Sequence, residues 1–226
     1  FFQIIILTPF SQISADVYDR YTIENLYSWN PDYTGRKISD IPCPAGYKRI
    51  HCEKNTFAFW LNNLPLKTEG APVFLFNGKL KANQEAHFAV IEIDVGNSDL
   101  QQCADAVIRL RAEYLYANKL FGKINFDFVN GFTAEYIKWS SGYDITVKNN
   151  KVLWEKSNED KTGYLKFKKF MNIVFAYANT YSLKKELRPV KDIGKIKTGD
   201  VFIQGGFPGH AVIVADTAKD VKGNVI

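Results

Sequence analysis

A thiol, Cys103, and an imidazole, His210, are the residue types in this chain best suited to breaking an acyl bond. A thiolate is a strong nucleophile, and it forms most readily where the positive end of a helix or a neighbouring imidazolium stabilises it. Cys103 falls within the first two turns of an amphipathic stretch. His210 opens an apolar strand directly behind the loop Gly205-Gly206-Phe207-Pro208-Gly209, where backbone can approach a ligand. The two stand far apart in sequence, as a nucleophile and its base often do, because such pairs assemble in space. The imidazole then needs a third group to orient it. Asp216 shares its face by alternation, but the strand between them would extend about 20 Å. The orienting group is therefore expected on a strand beyond Ile226.

Other chemistries fit less well. His51 and His87 have no Cys, Asp or His at metal-ligand spacing and read as structural, so no metal is expected. The glycine loop lacks the Lys-Ser or Lys-Thr ending and the following helix of a phosphate cradle, and no cofactor is expected. Asp94, Asp99, Asp105 and Glu113 offer carboxylates. Asp105, Arg109 and Glu113, however, follow at i, i+4 and i+8, the spacing of salt bridges on a helix face. Cys43 and Cys52 are close enough in sequence to bridge, which would leave Cys103 as the odd thiol; whether they do is open.

These residues must be carried by a globular body. With 226 residues, 46% hydrophobic and 23% charged, the chain can bury a substantial core. The net charge of +5 is scattered, and Lys166, Lys168 and Lys169 interleave with Phe167, Phe170 and Met171 as the solvated face of a helix, which argues against nucleic acid as a partner. Phe1 to Phe10 is almost wholly apolar and leads to Ser14-Ala15, like the later part of a secretory signal peptide. A buried N-terminal strand is the alternative. The expected organisation is a signal remnant over 1–15, an irregular arm over 16–45 and one α+β domain over 46–226, cut off at its C-terminal end. With the signal removed, no integral membrane segment is expected.

The helix bearing Cys103 is predicted over 97–118, started by a capping box at Ser98-Asp99-Leu100-Gln101, with Cys103, Val107, Leu110 and Tyr114 facing inward. Asn77-Gly78 predicts a hairpin, and Phe88 to Val95 alternates like a strand. Strands are also predicted over 124–129 and 143–147. A second helix is predicted from Tyr164 to Tyr181. Two strands, 199–204 and 210–216, flank the glycine loop, and Lys222-Gly223-Asn224 turns into a further strand.

Two stretches carry a resemblance: 99–114, around Gln101-Gln102-Cys103-Ala104-Asp105, and 199–214, around Gly199-Asp200-Val201 and Pro208-Gly209-His210-Ala211-Val212. They resemble the signature segments of a bacterial family known as domain of unknown function 4846, and 182–187 resembles another. The resemblance runs from about Pro42 to Ile226 and implies an exported bacterial protein of the periplasm or cell envelope. More distantly, the histidine segment is similar to that of NlpC-type, papain-like cell-wall peptidases and amidases, in which a cysteine at a helix start precedes the histidine. Gln102-Cys103-Ala104 stands here where those enzymes usually carry Asp-Cys-Ser or Asp-Cys-Thr. That likeness implies a helix packed on an antiparallel sheet and a thiol hydrolase acting on cell-wall peptide or a related amide. Cys103 would attack, His210 would move the proton, and Gln102 and Gly209 would hold the oxyanion or substrate. A non-catalytic envelope protein of the same fold, binding peptide or glycan through an aromatic-rich cleft, is the alternative.

Overall fold

A computed structural model describes residues 3–6, 26–32, 34–149 and 151–226. In chain order the elements are β1 (Gln3–Ile6), β2 (Lys48–Arg49), α1 (Phe57–Asn62), α2 (Cys103–Ala117), β3 (Asn125–Asp127), β4 (Thr133–Glu135), α3 (Tyr136–Ser140), β5 (Tyr143–Lys148), β6 (Lys151–Lys156), α4 (Tyr164–Tyr177), α5 (Thr180–Glu186), β7 (Arg188–Pro189), β8 (Val201–Gln204), β9 (His210–Ile213) and β10 (Ala218–Lys219). The architecture is α+β. One sheet of order β7-β1-β8-β9 is antiparallel throughout, and three two-stranded ribbons, β3–β4, β5–β6 and β10–β2, surround it.

The β8–β9 hairpin shows why the sheet has an inner and an outer face. Successive strand residues point to opposite sides. Val201 and Ile203 are fully buried and pair with Ile213 and Ala211, while Gln204 and His210 pair at the exposed end. The inner face meets α1 and α5: a Cβ at Gly199 would touch the Phe57 ring at 3.3 Å, and one at Gly205 would lie 2.8 Å from Lys184 Cδ. Helix α2 packs along β9.

Helix α2 is buried on nearly every side, Ala106 being the exception among 104–110. Such a helix cannot carry charge without partners. Arg109 Nε donates to Glu113 Oε1 at 2.6 Å, and both residues are almost completely enclosed. The Tyr164 hydroxyl donates to the same Glu113 oxygen at 2.8 Å, and Asp94 lies 3.7 Å from the guanidinium while also binding Lys168 at 2.7 Å. The spacing reading is thus right for Arg109 and Glu113. Asp105 stays out of the chain of pairs and caps the helix start instead.

Several boundaries move. The second helix ends at Tyr177 because Asn179 starts a new one, its side chain accepting the N–H groups of Tyr181 and Ser182. Lys151–Lys156, which has no place among the predicted strands, pairs with β5 over its whole length. The Asn77-Gly78 turn forms, with Gly78 at φ 77°, but the strands beside it shrink to one bridge, Phe74 to Leu80. The stretch from Phe88 contributes a bridge from Ile91 to Leu66.

The expected signal remnant falls mostly outside the described residues. Gln3–Ile6, which are described, pair in the sheet between β7 and β8. Residues 16–25 and 33 of the expected arm are also outside the described residues. The rest packs on the body: Leu26, Tyr27 and Trp29 are buried, Trp29 Nε1 donates to the Glu92 carbonyl at 2.8 Å, and Trp60 Nε1 donates to that of Leu26 at 2.7 Å. Beyond Asp220 the chain turns back so that Val225 bridges Lys219, away from β9. No helix of the described residues is long and apolar enough to cross a membrane.

Two measurements check these buried charges. Removing Glu113 leaves the Arg109 guanidinium enclosed without its main partner, so Glu113→Ala is expected to cost about 3–5 kcal/mol in urea unfolding, against about 1–2 kcal/mol for Tyr164→Phe. Equal small losses would refute that ranking. At the end of α5, burial pushes the Glu186 carboxyl up from 4.5 to about 7, although the Asp127 N–H bonded to it at 2.9 Å pulls the other way. Because the folded value is the higher one, the stability Glu186 contributes is complete below pH 4.5 and is lost as pH rises through 7. Glu186→Gln should remove up to about 3 kcal/mol of that fall between pH 5 and pH 8. An unchanged slope would contradict it.

Candidate functional site

Cys103 is the first residue of α2, inside the two turns expected for it. Residues 97–102 are not helical, and the expected capping box at Ser98–Gln101 does not form. Gln102 is the N-cap, and the Asp105 carboxylate, at the third helical position, accepts its backbone N–H at 3.1 Å. That cap moves the helix start to the cysteine. The helical ladder begins with Ala106 N–H to the Gln102 carbonyl at 2.9 Å, so the N–H groups of Cys103 and Ala104 point out of the helix end. Cys103 itself is partly buried, and the neighbouring Ala104 faces the core.

The direction of α2 against β9 follows from its far end. Arg111 and Tyr114 lie against the Phe57 ring, at 5.0 and 5.2 Å, and Phe57 lies against Gly199. Gly199 in turn donates its N–H to the Val214 carbonyl at 2.8 Å. The later turns of α2 therefore sit at the Val214 end of the hairpin. Running back, the helix from Arg111 to Cys103 rises about 12 Å and the strand from Val214 to His210 extends about 13 Å. A helix aligned with the strand would bring Cys103 toward the His210 end of the α2–β9 pair. Alternation sets the imidazole on the outer face with Val212, while Ala211 between them faces the core. Among the described residues no hydrogen bond joins the Cys103 thiol to the His210 ring.

The two expected oxyanion or substrate residues sit differently. Gln102 is exposed, but its backbone N–H is taken by Asp105. Gly209 is pressed on α5: a Cβ there would lie 2.0 Å from Thr180 Oγ1 and 2.4 Å from the Gly206 carbonyl. Its lack of a side chain serves that close approach. Thr180, itself buried, also bonds the Gly206 carbonyl at 3.5 Å, and Gln204 Nε2 donates to the Pro208 carbonyl at 3.3 Å. The loop before His210 is thus tied down at both ends, while Phe207 at its tip is 92% exposed.

Asp216 turns away from His210. Arg49 Nε holds one of its oxygens at 2.7 Å and Asn62 Nδ2 the other at 3.1 Å. Asn62 also accepts from the Cys52 thiol at 3.1 Å, and burial pushes that thiol up, so Cys52 belongs to a structural clasp. Cys43, Cys52 and Cys103 are all free thiols. His51 is exposed, and His87 Nε2 lies 3.2 Å from the Ala71 carbonyl. The described residues hold no group of three or more His, Cys, Asp or Glu placed to bind a metal.

Sequence reasoning passed over Thr180 and the capping role of Asp105. The available signal for the second was a carboxylate three residues after a polar residue at the start of the inward-facing pattern. A loop anchored by Thr180 makes Gly209→Ala costly, about 1–3 kcal/mol by overpacking, and Thr180→Ala should return part of that loss in thermal unfolding. Independent, additive effects of the two changes would contradict the contact.

No curated protein and no solved structure matches the chain. A family profile described as domain of unknown function 4846 matches residues 38–226, a stretch that takes in α2, α5 and the β8–β9 hairpin. By that match, the chain belongs to the family of domain of unknown function 4846.

Proposed function

We propose that this protein is a papain-like thiol hydrolase of the bacterial cell envelope, exported and acting on an amide bond of cell-wall peptide. The observation that carries this reading is the position of Cys103 at the first residue of a helix whose side packs along the strand that His210 opens. Among the described residues the N–H groups of Cys103 and Ala104 have no acceptor, and such groups are hydrogen-bond donors for a developing negative charge.

In this reading the Cys103 sulfur attacks the carbonyl carbon as His210 takes the thiol proton. The carbonyl oxygen becomes an oxyanion held by the N–H groups of Cys103 and Ala104, a role that falls to them because Gln102 donates to Asp105. Collapse breaks the C–N bond, and the leaving amine takes the proton from His210. Water then attacks the thioester, gives a proton to His210 and releases the acid, and the proton returns to sulfur. The step requires the imidazole to rotate from the outer face toward the end of α2, and His210 is the first residue of its strand, with only the loop before it.

The outer-face position of His210 beside Val212, half exposed itself, favours a second reading, a non-catalytic protein that binds peptide or glycan. Synthetic wall peptides incubated with the full chain and analysed by mass spectrometry separate the two. The hydrolase reading expects cleavage that Cys103→Ala and His210→Ala each reduce at least ~100-fold. Cleavage unchanged in both variants, or peptide that binds uncleaved and still binds the double variant, would sink it.

A further inference from the structure

Asp105 is an expensive way to start a helix. Ser, Thr, Asp or Asn at the N-cap satisfies a free N–H from the surface, where the capping group stays hydrated. Asp105 is only 7% exposed, and while its Oδ2 accepts the Gln102 N–H at 3.1 Å, its Oδ1 is buried with no hydrogen-bond partner. A buried acceptor left unsatisfied costs stability and offsets part of what the cap contributes. Burial accordingly pushes this carboxyl up to about 6, with the Gln102 N–H the largest influence opposing it. No cationic side chain among the described residues pairs with it, and Arg109, one turn on, is committed to Glu113 and Asp94.

The cap acts on the backbone immediately before Cys103. Tying the Gln102 N–H back to the third helical residue fixes the peptide plane from which Cys103 leaves and closes the first turn around it. It also withdraws one N–H from the helix end, and among the described residues those of Cys103 and Ala104 have no acceptor, which leaves them to meet a substrate oxygen. We infer that Asp105 is a positioning residue for Cys103: its buried carboxylate holds the Gln102 N–H and thereby sets the thiol and the two free N–H groups of the helix start in one fixed arrangement. This inference deepens the hydrolase reading and rests on it for its catalytic meaning, while the positioning of the thiol can be measured without turnover.

The experiment compares the wild-type chain with Asp105→Asn, which keeps an oxygen acceptor, and Asp105→Leu, which removes it and fills the buried site with carbon; Asp105→Ala replaces the latter should leucine not fit. Alkylation by iodoacetamide at neutral pH is followed separately at each cysteine by peptide mapping, and kcat and KM are measured on the cleaved wall peptide. In Asp105→Leu, Cys103 labelling is expected to fall at least ~5-fold with thermal stability equal to or above wild type, and labelling of Cys43 and Cys52 unchanged. In Asp105→Asn, Cys103 labelling should stay within about twofold of wild type. Where turnover is present, kcat should follow the labelling and KM should not. Wild-type labelling of Cys103 in Asp105→Leu, or labelling as slow in Asp105→Asn as in Asp105→Leu, overturns the inference. A wild-type chain that shows the labelling pattern but cleaves nothing overturns the hydrolase reading alone.

Discussion

Enclosing a charged helix is the constraint to which the rest of this fold answers. Helix α2 runs through the interior with Arg109 and Glu113 on it, and two buried charges are tolerable only when each finds the other. Tyr164 therefore has to arrive from α4, Asp94 from the preceding loop and Lys168 from the turn of α4 after Tyr164. Those demands fix where α4 crosses α2. The aromatic layer of Tyr116, Tyr136 and Phe167, whose rings meet at 4.3 to 5.9 Å, fills the space between. Pairs of this kind do little for net stability, and their value lies in admitting few alternative arrangements.

Once α2 is fixed, the positions of the chemically interesting groups follow. Its far end is held by Phe57, and Phe57 by the glycine at the head of β8. Thr180 tightens the loop that brings in His210. The loop before His210 is thus held between β8, β9 and α5. The arrangement falls short of a completed pair, because strand alternation directs the imidazole outward in this state of the molecule.

Much of this was legible in the sequence where a pattern was local and repeated. The inward faces of α2 and α4, the strands on either side of the glycine loop and the Arg109–Glu113 spacing are all short-range periodicities. What escaped depended on competition. Ser98 and Asp105 can both cap a helix, and in the fold it is Asp105 that accepts the Gln102 N–H, which moves Cys103 to the first position. The apolar run from Tyr164 reads as unbroken through Tyr181, yet Asn179 offers its side chain to the backbone and a new helix begins there. Gly209 looked like a residue that leaves room for ligand, whereas the room is taken by Thr180, 29 positions away and invisible to any local rule.

The central claim is that the start of α2 and the first residue of β9 work on each other. It is tested most directly by the second-order rate at which a neutral alkylating reagent labels Cys103 at pH 7, in the wild-type chain and in His210→Ala. If the imidazole reaches the thiol, its removal should slow labelling of Cys103 by about tenfold or more and leave Cys43 and Cys52 unaffected. Equal rates for Cys103 in the two proteins would mean that the two groups share one end of the fold without sharing chemistry.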